Sequence, residues 1–325
     1  MKRREFVATS LAIAIMRPNI AFAQQPSSKV WRVGYLYPGN LDNSSDRAGF
    51  DVFRSELGRL GFPEGAHLVI DAKFAKGRPD TLDVLAKEIA DAHPDVIVAI
   101  ATPAIAAAQK ATDKIPIVMM PATDPVGSGF VNSLAHPGGN ITGMANMYGD
   151  SVGKSIELLH SILPAAKRIA VLMSSNPTHP QQLEIAVTAM KALGLAATPV
   201  MAPSQNDLEQ AFEKMRMENC DALFVLADPP RPPIVQLAAK AKIPAIYQYA
   251  GFVELGGLAS YGAEFNAILR KGAEYVVKIF RGANPADIPV EQPIVFELAI
   301  NLKTAKELGL RIPEVILARA DRTIE

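Results

Sequence analysis

The stretch that decides the fold is Ile115–Gly143, which reads IPIVMMPATDPVGSGFVNSLAHPGGNITG. It opens with four consecutive apolar residues, Ile117–Met120, and a continuous apolar run is typical of a parallel strand that is covered on both faces. Pro121 and Pro125 then enclose small and polar residues that do not continue a strand, so we expect the chain to turn there. The stretch therefore indicates a buried strand whose carboxyl end opens into a loop.

Apolar strand-like runs alternate with amphipathic, helix-like segments on both sides of this stretch. The segment Asp46–Leu60, for example, has phenylalanines and leucines at helical spacing and is followed by Gly61, a typical helix terminator. The strand-like runs lie at residues 31–37, 67–71, 96–100 and 117–120, and again at 168–173, 197–201, 222–227 and 245–247. This alternation predicts an α/β protein with two doubly wound parallel-sheet lobes.

We predict that each lobe is built from two separate segments and that a multi-strand hinge joins the lobes. The N-terminal lobe is assigned residues 24–145 and about 263–290, and the C-terminal lobe residues 146–262 and about 291–325, whose final segment can span both lobes. The predicted crossings are residues 139–147, 258–262 and 289–300. Such hinge residues absorb the backbone rotation when two domains close on a ligand.

The N-terminus has the pattern of a cleavable export signal, assigned to residues 1–23. A basic start at Met1–Phe6 precedes the apolar run Val7–Met16 and the small-x-small end Ala21–Ala23. The apolar run is too short to span a bilayer, and an ordinary buried helix is the alternative. Because Arg3 and Arg4 also fit a twin-arginine signal, the export route stays open. We expect a periplasmic protein without a lipid anchor, because the residue directly after the predicted cleavage site is Gln24 and not a cysteine.

The charge balance argues against a nucleic-acid-binding protein, and the position of the single cysteine argues against a cysteine nucleophile. The chain has 33 basic and 33 acidic residues, and removal of residues 1–23 leaves 29 basic and 32 acidic ones. No basic patch indicates a nucleic-acid partner. Cys220 precedes the apolar run Ala222–Leu226, where a small buried residue is a better interpretation than a nucleophile.

Two strand ends of the first lobe supply the best candidates for ligand binding. Thr102 precedes a helix whose free N–H groups and dipole favour an anion, although a capping role without a ligand is the alternative. Ala122 and Thr123 form a second small polar turn, and ligands of open α/β sheets bind just beyond such strand ends. Tyr37 ends the first strand at the same edge. Asp124 precedes a proline and is interpreted as a residue that shapes the turn.

The second lobe contributes three further candidates at the ends of its strands. These are Asn176, Asp228 and Tyr247. Asp228 lies at a strand tip and is our predicted partner for a ligand ammonium group, while a cap for the following helix is an equal alternative. Tyr247 fits an aromatic wall of the cleft and the core equally well.

No pattern for catalysis, metal binding or a cofactor is convincing. The histidines are scattered without metal-ligand spacing, and neither a GxSxG elbow nor a phosphate-binding GxxxxGK[ST] loop is present. We therefore expect a binding protein, not an enzyme, with no cofactor and no metal. Two alternatives stay open, a periplasmic α/β enzyme that acts on a small acid and a ligand-binding sensor domain.

The segment Asp124–Gly143, with IPIV before it and Ile300–Ala305 near the end, resembles the ABC-transporter substrate-binding protein family that includes tryptophan- and tyrosine-type binders. The resemblance implies a type I periplasmic-binding fold and an ABC permease in the inner membrane as partner. It also implies that such turns hold a substrate carboxylate. We therefore expect a monomeric solute-binding protein for an amino acid or a related small, aromatic or non-aromatic carboxylate, bound in the cleft between the lobes.

Overall fold

The computed structural model describes residues 29–146, 148–229 and 231–325, without the side chains of Tyr148 and Asp150. The predicted export signal lies outside these residues. Strands and helices alternate along the described chain, as the sequence pattern predicts. The strands are β1 (Trp31–Tyr37), β2 (Leu68–Phe74), β3 (Val96–Ala99), β4 (Ile117–Thr123), β5 (Ile141–Asn146), β6 (Arg168–Met173), β7 (Ala196–Met201), β8 (Ala222–Val225), β9 (Ala245–Tyr247), β10 (Ala259–Ala263), β11 (Phe296–Asn301) and β12 (Arg322–Ile324).

The helices occupy the segments between the strands. They are α1 (Ser44–Arg59), α2 (Leu82–Asp91), α3 (Thr102–Ala111), α4 (Tyr148–Ile162), α5 (His179–Ala192), α6 (Leu208–Met217), α7 (Pro232–Ala241), α8 (Ala250–Glu254), α9 (Phe265–Phe280), α10 (Leu302–Glu307) and α11 (Glu314–Leu317). Short 3-10 turns precede α2 and α6 and follow α9.

Two sheets form, one for each lobe. The first has the strand order β2-β1-β3-β4-β5, and all its pairs are parallel. The second has the order β12-β11-β10-β9-β8-β6-β7, with one antiparallel pair, β10 and β11. The prediction of an α/β fold with two parallel-dominated sheets is confirmed.

Apolar side chains cover both faces of each sheet, which explains the continuous apolar strands. In the first sheet, side chains of β1 and β4 alternate between a layer under α1 and α9 and a layer under α2 and α3. The second sheet is packed between α4, α5 and α10 on one face and α6, α7 and α8 on the other. Helix α9 therefore returns to the first lobe although it follows β10 of the second.

Two details of the opening stretch differ from expectation. Strand β4 does not stop at Met120 but continues to Thr123, with a register shift at Pro121. Proline is tolerated there because a bulge removes the need for its missing N–H. The segment Pro137–Gly143, part of which falls in the predicted crossing 139–147, instead enters β5, and β5 pairs with β4 of the first sheet.

The residues of this segment have structural roles that account for its distinctive sequence. The amide of Asn140 donates to the carbonyl oxygen of Ile115 at 2.8 Å and holds the start of β4. The hydroxyl of Thr142 donates to the carbonyl oxygen of Ile288 at 2.7 Å. Gly143 has a φ of +131°, and a Cβ atom there would collide with the backbone of Met119. The segment therefore fixes the edge of the first sheet.

The chain passes between the lobes near three places. Asn146 ends β5 shortly before α4 begins the second lobe. Glu264 links β10 to α9, and its carboxylate caps α9 by accepting from the N–H groups of Asn266 and Ala267. Glu291 still pairs with Met144 of the first sheet, whereas β11 belongs to the second. The predicted crossings 258–262 and 289–300 are thus partly regular strand.

Candidate functional site

A cavity of about 80 Å³ lies between the carboxyl ends of the two sheets. One water molecule needs about 10–15 Å³ on this measure, so the cavity has room for a small organic molecule. A larger outer compartment of about 360 Å³ adjoins it. Asp46, Asn176, Asp228 and Pro229 line both compartments. Because residues of both lobes form the walls, a molecule bound here would contact both.

The start of α3 forms the hydroxyl-bearing wall of the first lobe. The hydroxyl oxygen of Thr102 accepts a hydrogen bond from the N–H of Thr123 at 3.1 Å, which ties the ends of β3 and β4 together. Ala101, at the N-cap of α3, has φ +68° and ψ +149°, a conformation that residues other than glycine rarely adopt. The N–H of Thr102 lies in the first helical turn, where no intrahelical acceptor exists. This wall can donate hydrogen bonds to an anion.

Asp46 lies in the first turn of α1 and is 6% exposed. One carboxylate oxygen accepts from the hydroxyl of Tyr37 at 2.9 Å and the other from the N–H of Asn40 at 2.8 Å. Burial raises the pKa of Asp46 to about 6, an effect larger than the lowering caused by the two hydrogen bonds. The carboxylate is therefore held in a fixed position without full compensation of its charge.

The second lobe presents a network of buried polar side chains around Asp228. The Nδ1 atom of His179 accepts from the N–H of Ser174 at 2.8 Å, so Nε2 is the nitrogen that donates, at 3.2 Å, to the carbonyl oxygen of Ala227. The amide of Asn176 donates to the same carbonyl oxygen and to Asp228, each at 3.4 Å. The side chain of Asp228 is thus held from several sides.

Further side chains extend this network behind the cavity wall. The amide oxygen of Asn176 accepts from the N–H and the hydroxyl of Thr178, at 3.1 and 2.9 Å. Gln182 donates to the hydroxyl of Thr178 at 3.1 Å and accepts from the N–H of Ala227 at 3.3 Å. The guanidinium of Arg231 lies 3.6 Å from Asp228. Hydrogen bonds among its own residues therefore fix the side chains of this second-lobe wall.

Aromatic side chains from both lobes form the apolar part of the lining. They are Tyr37 of β1, Tyr249 at the N-cap of α8 and Phe265 of α9. The rings of Tyr249 and Phe265 meet edge to face, with centroids 5.8 Å apart. The hydroxyl of Tyr249 accepts from the amide of Asn146 at 3.0 Å, which connects β5 of the first sheet to the second lobe. An apolar or aromatic ligand group would contact these rings.

Acidic groups line one end of the cavity. Glu254 and Glu297 both pair with Arg322, at 2.9 and 3.3 Å, and Glu264 pairs with Arg270 at 3.0 Å. Burial raises the pKa of Glu297 in spite of Arg322. The cavity is thus rich in carboxylates and has Arg322 in its lining, while Lys76 and Arg231 line the outer compartment.

The structure brings Tyr37, Thr102, Thr123, Asn176 and Asp228 of the predicted site to this cavity. It does not bring Ala122 and Tyr247 there. The side chain of Ala122 points into the apolar layer under α2 and α3. Tyr247 is fully buried and stacks on Phe252, with ring centroids 4.5 Å apart. Neither side chain lines the cavity because strand alternation directs both into the core.

Sequence reasoning missed several lining residues, above all Asp46. An acidic residue in the first turn of a helix is the ordinary complement to the helix dipole, so its position gave no functional signal. Its place after the end of β1, at the same sheet edge as Thr102, was the signal that could have identified it. Glu254, Phe265 and Arg322 were missed because they reach the cavity from the short helix α8, from the start of α9 and from the last strand, β12.

Two further observations concern the described residues only. None of their helices is both long and apolar enough to cross a membrane. No group of three or more His, Cys, Asp or Glu side chains among them is arranged to hold a metal ion.

Comparison with known proteins shows the family. A tyrosine-binding protein from Clostridioides difficile (strain R20291) is 30% identical over 264 residues, which cover 80% of this chain and 76% of that protein. An ABC domain from Streptococcus pneumonia, solved in complex with L-Trp, is 28% identical with a TM-score of 0.82, over 90% of this chain and 99% of that one.

A third relative was solved without its ligand. The ligand-free, open structure of a substrate-binding protein from Clostridium difficile is also 28% identical, with a TM-score of 0.63 over 91% of this chain and all of that one. Residues 44–324 match the family described as ABC transporter substrate binding protein. The chain belongs to the ABC transporter substrate-binding protein family, and its fold is the two-lobed fold of periplasmic binding proteins.

Proposed function

We propose that this chain is the exported solute-binding protein of an ABC importer and that it binds an α-amino acid with an aromatic side chain in the interlobe cavity. The observation that carries the proposal is the lining of the cavity: hydrogen-bond donors at the start of α3, aromatic rings from both lobes and buried carboxylates. These features match the carboxylate, the ring and the ammonium group of one such molecule.

The carboxylate of the ligand would bind at Thr102 and Thr123. The Thr102 hydroxyl already accepts from Thr123, so its hydrogen is available to a ligand, and its N–H lies in the first turn of α3. A negative charge at this helix end is favoured by the helix dipole. The ring would lie against Tyr249 and Phe265.

The relatives support this ligand class and the mode of binding. Two of them are named for tyrosine binding or were solved with L-Trp. At equal sequence identity, the whole structure is more similar to the L-Trp complex than to the ligand-free, open structure, with TM-scores of 0.82 and 0.63. A ligand that contacts both lobes stabilises the closed form, which would then deliver it from the periplasm to a membrane permease.

A thermal-shift screen followed by calorimetry tests the proposal. Protein that has been unfolded and refolded to remove any co-purified ligand is mixed with the twenty amino acids, several sugars and aromatic acids. We expect L-tyrosine or L-tryptophan to give the largest rise in melting temperature. If sugars alone stabilise the protein, or if an aromatic acid is chemically converted, the proposal is wrong.

A valine substitution tests the carboxylate site within the same screen. Thr102→Val keeps the shape of the side chain but removes its hydroxyl, so we expect about a tenfold loss of amino-acid affinity by calorimetry. The control is Thr188→Val, on the exposed face of α5, which should bind like the wild type. An unchanged affinity of Thr102→Val would remove this threonine from the binding site.

A further inference from the structure

The carboxylates that line the cavity differ in their cationic partners. All but one have an arginine nitrogen within 4.0 Å, and these pairs are Asp228 with Arg231, Glu254 with Arg322, Glu264 with Arg270 and Glu297 with Arg322. Asp46 has no basic partner within that distance in the described part of the chain. It is therefore the one cavity carboxylate whose charge no described side chain balances.

Asp46 is also well placed to accept additional hydrogen bonds. Each of its oxygens accepts one bond, from Tyr37 and from Asn40, and each oxygen of a carboxylate can accept two. The side chain is 6% exposed and lines both the cavity and the outer compartment. An unpaired carboxylate that is buried to this degree is costly unless a cation arrives with the ligand.

We infer that Asp46 binds the ammonium group of the ligand and makes the cavity selective for α-amino acids over the corresponding acids without an amine. The inference rests on the proposed function, which supplies the ligand class. Asp46 thereby replaces Asp228 as the ammonium partner that the sequence indicated, because Asp228 already has Arg231 and Asn176 as partners. Burial without a cation raises the pKa of Asp46, and a bound ammonium group would reverse that effect.

A structural role for Asp46 is the alternative that the test must separate. Its bond to the N–H of Asn40 anchors the loop between β1 and α1, so loss of the carboxylate could also disturb the cleft. A disturbed cleft would weaken all ligands equally, whereas loss of an ammonium partner weakens only ligands that have the amine. The ratio of two affinities therefore distinguishes the two roles.

The experiment measures binding of L-tyrosine and 3-(4-hydroxyphenyl)propionate, and of L-tryptophan and 3-(indol-3-yl)propionate, by calorimetry at pH 7.5. The wild type should bind the preferred amino acid at least about 30-fold more tightly than its amine-free analogue. In Asp46→Asn this preference should fall to within about threefold, while affinity for the analogue stays close to that of the wild type. Asp228→Asn should change both affinities by the same factor.

Each outcome decides a different claim. If Asp46→Asn weakens the amino acid and its analogue equally, Asp46 is structural and the inference is wrong, although the proposed function stands. If Asp228→Asn alone abolishes the preference for the amine, Asp228 is the ammonium partner. If the wild type binds neither L-tyrosine nor L-tryptophan, the proposed function fails, and the inference fails with it.

Discussion

The two walls of the cavity, one from each lobe, differ in how completely their own residues stabilise them. On the first-lobe wall, Asp46 is a buried carboxylate without a described cationic partner, and Ala101 has a strained backbone. On the second-lobe wall, His179 and Asn176 are linked to their neighbours by hydrogen bonds within the lobe. The first wall therefore has a charge that no described side chain balances, whereas the polar side chains of the second wall are largely hydrogen-bonded to one another.

The difference suggests that the two lobes contribute differently to ligand binding. A wall with unused donors and an unbalanced charge gains the most from a ligand, so the first lobe would supply most of the polar recognition. A wall ordered by its own hydrogen bonds needs no ligand to form, so the second lobe would act as a preformed surface that closes onto the bound molecule. Substitutions on the two walls should therefore affect stability in opposite directions.

The largest expected effect comes from breaking the second-lobe network at His179. His179→Ala removes a buried side chain, 1% exposed, leaves the N–H of Ser174 without its partner, and leaves the carbonyl oxygen of Ala227 with only the longer bond from Asn176. We expect the free energy of unfolding to fall by about 3 kcal/mol, from the unsatisfied groups and the cavity together. Urea denaturation followed by circular dichroism measures this.

The matched control is another histidine of the same chain. His67 is exposed, so His67→Ala should change the free energy of unfolding by less than about 0.5 kcal/mol. Equal effects of the two substitutions would show that the network around Asp228 does not stabilise the second lobe.

Asp46→Asn should have the opposite effect in ligand-free protein. The folded-state pKa of Asp46 is about 6, above its ordinary 3.8, so the fold disfavours the ionised carboxylate at neutral pH. The amide can still accept from Asn40 and donate to the hydroxyl of Tyr37. We expect the variant to be more stable than the wild type by about 2 kcal/mol at pH 8, because a pKa of about 6 in place of 3.8 makes the ionised carboxylate costly in the folded protein, while the weaker hydrogen bonds of the amide offset part of the gain.

The pH dependence of this difference follows from the sign of the shift. Because the pKa is raised on folding, the wild type gains stability relative to the variant as the pH falls through 6, and the difference should vanish near pH 4. Denaturation curves of both proteins between pH 4 and pH 8 measure it. A difference that stays constant over this range would mean that Asp46 is not the group that titrates.

The smallest expected effect concerns the strained backbone at Ala101. Ala101→Gly should relieve about 1–3 kcal/mol of strain and lose part of it to the greater flexibility of glycine, for a net gain of about 1 kcal/mol in stability. Ala104→Gly, three residues later inside α3, should instead lose about 1 kcal/mol. Thermal unfolding of the two variants would show whether their effects have opposite signs.

Much of the fold followed from local patterns in the sequence. The segment Asp46–Leu60 was predicted as a helix from its apolar spacing and is α1, and the run Val96–Ile100 is β3 within one residue. The end of β4 was predicted three residues too early, because proline usually ends a strand and the bulge that admits Pro121 depends on pairing with β5. Pairing partners are distant in sequence, so local patterns do not report them.

The site was predicted less completely than the fold. Thr102 and Thr123 were identified because strand ends of one sheet lie at one edge, a rule that needs only the order of the elements. Ala122 and Tyr247 were assigned to the cleft on the same rule but point into the core. All seven residues of β4 are buried, so no alternation of polar and apolar residues indicated which side chains face the cleft.

The sequence by itself determined the α/β class, the two-lobed organisation and the strand ends from which a binding site is built, because these depend on periodicities within short segments. The tertiary structure alone decided which side chains meet in the cavity and which of them have partners. Asp46 is an ordinary first-turn acid in the sequence. It becomes the unbalanced charge of the cleft only because folding buries it beside Tyr37 and places each of the other cavity carboxylates near an arginine.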